Sequence, residues 1–202
     1  MEHTTPPHET ADHHGSGHRA GIGRHLLARW PSVVGLLALI ADTSGGSDSH
    51  TTAMIIILAA MCYLAAGALG SRRSGWVMVA VGSAAVTLAA ITGLDPTTTL
   101  LVMGAGFAVF GFLRGSGADR REVGVQALAF AVFSAIALTA MYSGPLAALY
   151  LAAFAALGHA AWDAAHFIRD KVVSRSLTEA CFVLDLGLGA ALLLTAWNVL
   201  PL

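Results

Sequence analysis

The chain has 202 residues, of which 56% are hydrophobic and only 11% are charged, and its formal net charge is −1. Soluble domains carry about 25% charged residues, so this composition excludes an ordinary water-soluble fold. The near-zero charge gives no sign of a nucleic-acid partner. The apolar residues form long blocks with the charged residues between them, as expected when a lipid bilayer is the solvent. Composition therefore predicts an all-α, polytopic bundle of transmembrane helices.

Arginine outnumbers lysine ten to one, and alanine and glycine are abundant. This usage is typical of a high-GC bacterial genome. Together with the apolar blocks, this residue usage predicts a multi-pass protein of the bacterial cell (inner) membrane. The lipid bilayer is therefore an expected partner.

The first 24 residues contain prolines, several glycines and five of the nine histidines, with no apolar period. Such a segment is predicted to be a disordered cytoplasmic tail, and residues 25–202 to form one transmembrane domain. Short histidine-rich tracts are a compositional signal for metal binding. The tail is interpreted either as unstructured or as a weak, regulatory metal collector through His3, His8, His13, His14, His18 and His25.

Seven apolar blocks follow the tail. A spanning helix needs about 17–25 residues, and the first and fourth blocks are short by that measure, so hydropathy leaves open whether they cross fully. The predicted spans cover residues 26–42, 52–70, 76–93, 99–113, 125–142, 145–167 and 177–199.

The basic residues decide the number of spans and their orientation, because short cytoplasmic loops are enriched in Lys and Arg. With seven spans, all 11 Lys and Arg residues fall on one side of the membrane. Omitting either short block would divide them between both sides. The pattern therefore predicts about seven spans, with the N-terminus in the cytoplasm and the C-terminus outside.

The start of the seventh span carries a local signal. Ser176 is followed three residues later by Glu179, the spacing of a capping box in which each side chain accepts the other residue's backbone N–H. This spacing predicts that Ser176 caps the last helix, whose helical residues then begin at Leu177.

Two neighbouring spans carry the polar residues that could support chemistry. In the sixth span, His159, Asp163 and His166 are spaced by four and seven residues, so they share one helical face. In the seventh span, Cys181 and Asp185 are four residues apart. If the two helices are antiparallel, equal distances from the connecting loop place His159 beside Asp185 and Asp163 beside Cys181.

Ionisable groups inside a membrane are costly and usually face protein, water or an ion. One hypothesis is a metal site, with zinc suited to these N, O and S ligands: His159, Asp163 and Asp185 as its core, His166 and Cys181 as accessories. Zinc could then polarise a water for hydrolysis, with one aspartate as general base. Whether the chain is an enzyme, and which residues would be catalytic, stay open.

Three other interpretations of the same residues are retained. One is a small proton- or cation-coupled transporter in which His159 changes partner between carboxylates, since histidine titrates near neutral pH. Another is a binding or partner interface, and the last is a structural hydrogen-bonded cluster without chemistry. Cys62 and Tyr63 in the second span are predicted to be ordinary packing residues that could also join the patch.

The residues 159–166 read His-x-x-Trp-Asp-x-x-His and are followed by Cys181 and Asp185 on the next helix. This pattern resembles small, uncharacterised bacterial multi-span integral membrane proteins, which implies a membrane location. The seven spans and the inner-side polar patch also resemble, more distantly, the seven-span zinc hydrolases of the alkaline ceramidase and adiponectin receptor type. Those proteins carry a paired His-x-x-x-His, and here Asp163 stands at its second position.

Overall fold

The computed structural model describes residues 29–114 and 117–197, and in that part of the chain every regular element is an α-helix. The helical bundle lies within one compact unit that begins at Pro31. The predicted tail, residues 1–24, lies outside the described residues. In chain order the helices are α1 Trp30–Thr43, α2 Ser49–Leu69, α3 Ser74–Thr92, α4 Pro96–Arg114, α5 Gly117–Met141, α6 Pro145–Arg169 and α7 Arg175–Ala196.

Six of these helices, α2 to α7, are long and apolar enough to cross a membrane. Large apolar side chains such as Leu88, Ile91 and Leu113 are exposed on the bundle surface, as lipid-facing residues are. The chain is a multi-pass membrane protein. Helix α1 is described over 14 residues, or about 21 Å, less than the hydrocarbon thickness of about 30 Å. Its predicted first residues, 26–28, are outside the described part.

Two of the predicted helices have boundaries that differ from those in the structure. The fourth block, predicted as residues 99–113, forms a 19-residue helix from Pro96 to Arg114. Helix α5 begins at Gly117, eight residues before the predicted start. The apolar pattern missed these eight residues because they are not apolar. They include charged residues with good helix propensity, which extend the helix before the apolar block: Arg120, Arg121 and Glu122.

Helix α2 is the centre of the bundle and contacts α3, α4, α5, α6 and α7. Its N-cap is Asp48, whose carboxylate accepts the backbone N–H groups of His50 and Thr51. Partial burial raises the pKa of Asp48, but the hydrogen bonds from Thr51 and His50 outweigh it and hold that pKa below its usual value. At the other end Gly70 closes the helix in the left-handed conformation, with φ of 63°.

Helices α6 and α7 share the most extensive contact in the bundle. Gly189 allows this approach: a Cβ atom built there would lie 2.7 Å from Leu157 Cγ and 3.2 Å from the carbonyl oxygen of Ala153. Ala152 and Ala156 are also fully buried, so small residues on both helices contribute to this close contact.

Basic residues from three connections meet at one end of the bundle. Arg72, which follows α2, pairs with Asp170 after α6. Arg114 at the end of α4 donates to the carbonyl oxygen of Leu69 at 3.2 Å. Lys171 lines the same cavity as both arginines. The grouping agrees with the pattern that predicted the topology, and we call this the basic end.

The predicted capping box at the start of the last helix is wrong. Helix α7 begins at Arg175 with Ser174 as its N-cap. The predicted cap residues have other partners: Ser176 Oγ accepts the indole N–H of Trp76 at 3.0 Å, and the Glu179 carboxylate accepts the hydroxyl of Ser32 on α1. Tertiary contacts to α1 and α3 thus replace the local reciprocal bonds.

Candidate metal centre

Three ionisable side chains converge between α6 and α7. His159 Nδ1 lies 2.8 Å from Asp185 Oδ2 and 3.5 Å from Asp163 Oδ2. The predicted pairing of His159 with Asp185 is confirmed. In the described part of the chain, these residues form the one group of three His, Cys, Asp or Glu side chains with ligand atoms all within 4.8 Å.

All three residues are 0% exposed. Several of their polar atoms have no hydrogen-bond partner among the described residues: His159 Nε2, Asp163 Oδ2 and Asp185 Oδ1. Leaving a buried polar group unsatisfied costs about 1–3 kcal/mol, and more when the group is charged. The cluster therefore contains buried polar atoms that the described protein residues do not satisfy.

Tyr63 on α2 completes one side of the site. Its hydroxyl donates to Asp163 Oδ1 at 2.5 Å, and its ring meets the His159 ring edge-on with centroids 5.5 Å apart. Tyr63 is 1% exposed, so this contact is an interior one. It holds Asp163 by one oxygen and leaves Oδ2 directed to the histidine.

His166, predicted as an accessory ligand, lies outside the three-residue group. Its Nδ1 is 2.9 Å from the carbonyl oxygen of Trp162, and a carbonyl can only accept, so Nδ1 carries the proton. Its Nε2 then accepts from the amide Nε2 of Gln126 at 3.1 Å. His166 is a neutral Nδ1–H imidazole in this arrangement, with its second nitrogen facing α5.

Cys181, the other predicted accessory, is also outside the group. It packs against the apolar cluster of Tyr63, Ala66, Val173 and Leu177. Cys62 is buried and free and belongs to the main apolar core, as predicted for a packing residue. The structure thus brings together three of the five predicted ligands.

Two edges of the three-residue group are close to those of a tetrahedral metal site. Zn–N and Zn–O distances of about 2.0–2.2 Å make the edge between neighbouring ligand atoms roughly 3.3–3.6 Å. Of the two distances from His159 Nδ1, 3.5 Å fits this edge and 2.8 Å is about half an ångström shorter. One imidazole and two carboxylates are a donor set that zinc and neighbouring divalent metals accept.

Gln126 is the functional-site neighbour that the sequence reasoning missed. It is 1% exposed and joins His166 to Glu122, whose Oε1 accepts from Gln126 Nε2 at 3.0 Å. The available signal was that Gln126 is the chain's only glutamine and stands inside an apolar span, where a polar side chain needs a partner.

Asp170 follows His166 by four residues and continues the face shared by His159, Asp163 and His166, but it is part of the surface rather than of the centre. It ends α6 in the left-handed conformation, with φ of 51°, and pairs with Arg72 and Arg175. The hydrogen bond from Arg72 holds the pKa of the Asp170 carboxyl below its usual range. The stripe therefore divides into a buried centre and a charged rim at the basic end.

No family model, no curated protein and no solved structure matches this chain.

Proposed function

We propose that this chain is a bacterial inner-membrane protein that binds one divalent transition-metal ion, zinc or a near equivalent, between α6 and α7. His159, Asp163 and Asp185 are the ligands, and Tyr63 positions Asp163. The observation that carries the proposal is the convergence of three fully buried ligand atoms within 4.8 Å. The one-sided basic residues support a centre nearer the cytoplasmic face, with the N-terminus inside.

Charge balance supports an ion at this place. Two ionised aspartates and a neutral histidine carry a charge of −2 in a fully buried site, and a divalent cation brings the total to zero. A single proton on His159 would leave one net negative charge. Insertion scales put the cost of one charged residue at the centre of a transmembrane helix at about 2.5–3.5 kcal/mol.

Burial favours ion binding over hydrolysis of a lipid or peptide. A catalytic zinc keeps an open coordination position that its substrate can reach. Here the ligands are 0% exposed and Tyr63, on α2, covers Asp163. A substrate larger than water would require α2, α6 and α7 to separate.

The test is the metal content of detergent-purified protein after dialysis against a weak chelator. We expect about one zinc per chain in the wild type and loss of that ion in His159→Ala, because a site of three protein ligands loses its nitrogen donor. The matched control is His50→Ala, which replaces an exposed histidine at the start of α2. This variant should retain the zinc content of the wild type.

Equal zinc in the wild type and His159→Ala would overturn the proposal. Because the comparison is between full-length variants, any ion held by the histidine-rich tail contributes equally to all three proteins. Retention of the ion in His159→Ala therefore assigns it elsewhere in the chain.

A second candidate function, a proton relay in a small transporter, is favoured by one observation. His159 Nδ1 faces two different carboxylates, at 2.8 and 3.5 Å. A modest ring movement would exchange one partner for the other. Two protons, one on His159 and one on an aspartate, neutralise the cluster as completely as a divalent ion does.

For the relay we expect a pH gradient to drive proton flux in proteoliposomes, and Asp185→Asn to abolish it because the amide cannot take up the proton. The control is Asp95→Asn, the same charge change in the exposed loop before α4, which should keep the flux. Equal flux in Asp185→Asn and the wild type would eliminate the relay. Bound zinc in a protein that shows no proton flux would leave the metal site as the only one of the two proposed functions.

A further inference from the structure

A cavity of about 460 Å³ opens at the basic end of the bundle. Its charged lining consists of Arg72, Arg114 and Lys171 together with Asp119 and Glu122. Arg72 is paired with Asp170, so the remaining lining charges are two positive and two negative. The cavity is therefore polar and close to neutral, and it does not repel a cation as an all-basic pocket would.

Gln126 lies beside two residues that line this cavity. Gly67 lines the cavity, and a Cβ atom built at Gly67 would be 3.4 Å from Gln126 Cγ. Glu122, one helical turn before Gln126 on α5, also lines the cavity and accepts the Gln126 amide at 3.0 Å. The side-chain oxygen of Gln126, Oε1, is buried and has no hydrogen-bond partner among the described residues.

Beyond Gln126 the polar groups continue inward. Gln126 bonds to His166 Nε2 at 3.1 Å, and the His166 ring meets the Tyr63 ring edge-on at 5.0 Å. Tyr63 in turn donates to Asp163 of the three-residue centre. The Glu122 carboxylate, the Gln126 amide and the His166 imidazole thus follow one another inward from the cavity, and Tyr63 links His166 to the Asp163 carboxylate of the centre. The carboxylates, the amide oxygen and the imidazole are groups that can hold a divalent cation in passing.

We propose that Glu122, Gln126 and His166 form an access site, a transient station through which a divalent cation passes between the cavity and the buried centre. This inference rests on the proposed metal-binding function and adds its route. At the access site the cation meets the Glu122 carboxylate first. Rotation of the Gln126 side chain then presents its unpartnered oxygen to the cation and releases the Nε2 lone pair of His166.

The experiment measures the rate at which Co²⁺ enters metal-free, detergent-purified protein, followed by the visible absorption of tetrahedral Co²⁺. In Gln126→Leu we expect the final spectrum and amplitude of the wild type. The loading rate, and the rate of removal by a chelator, should fall tenfold or more because the amide oxygen is gone. Gln126→Glu, which keeps an oxygen ligand, should load at a rate near that of the wild type.

A second variant covers the case in which Gln126→Leu does not fold. Glu122→Gln, at the cavity rim, should slow loading several-fold without changing the amplitude. Its matched control, Asp95→Asn, makes the same charge change in the exposed loop before α4 and should load normally. Wild-type rates in Gln126→Leu, or in Glu122→Gln where the former is not folded, would overturn the access site.

The outcomes separate this inference from the function on which it rests. A wild type that takes up no Co²⁺ at any time removes the metal centre itself and the route with it. Normal wild-type uptake with a lost amplitude in folded Gln126→Leu would place Gln126 within the centre and would overturn a purely transient role.

Discussion

Replacement of His159 by leucine should lower the free energy of unfolding in metal-free detergent by about 3–5 kcal/mol, the range for breaking a buried ionic group by removing one partner. Asp163 and Asp185, both 0% exposed, would then be left in the interior with no histidine between them. Denaturation in mixed micelles with a chelator present, followed by circular dichroism, measures the change.

The control removes the carboxylate charges as well. In His159→Leu combined with Asp163→Asn and Asp185→Asn, no unpaired charge remains, so at least half of the lost stability should return. A loss below about 1 kcal/mol in the single variant would be typical of an exposed pair. It would contradict the buried geometry of the cluster.

The second large effect is expected at the contact that brings α6 and α7 together. Gly189→Leu should lower the free energy of unfolding by about 1–3 kcal/mol, as overpacking of a filled interior does, because a Cβ atom already meets Leu157 Cγ at 2.7 Å. Asp185 lies one turn before Gly189, so separation of the helices should also reduce bound zinc. Unfolding curves and metal analysis on the same preparation measure both effects.

Gly106→Leu is the matched control, since Gly106 is also a helical glycine but its Cβ position has nothing within 4 Å. It should fold and bind metal like the wild type. If Gly189→Leu kept both properties, the close approach of α6 and α7 would not be what holds His159 and Asp185 in contact.

The pairing of His159 with Asp185 was predictable because polar residues are rare in these spans and their spacing marks one face. Antiparallel helices joined by a short loop then fix the depth of each residue from residue counting alone. The same reasoning failed for His166. It shares the face of His159, but seven residues at 1.5 Å each place it about 10 Å further along the helix, too far for one ion.

Gln126 could not be assigned to the site from sequence, and Tyr63 was predicted only as a packing residue that could join it, because both come from other helices. A helix that is apolar on every side does not reveal which side faces the interior, and the lateral order of six such helices is decided by packing. Only the structure shows that α2 occupies the centre and that α5 turns Gln126 toward His166. A lone polar residue inside an apolar span is the signal that would have marked Gln126.

The central place of α2 has a consequence for how the protein is assembled. Transmembrane helices insert first and associate afterwards, and α2 is synthesised long before α6 and α7. Its Tyr63 is therefore already in the bilayer when α6 brings Asp163 into it, and the tyrosine hydroxyl can accommodate that carboxylate until α7 delivers Asp185. The complete centre therefore forms only when α7, the last of these helices, docks.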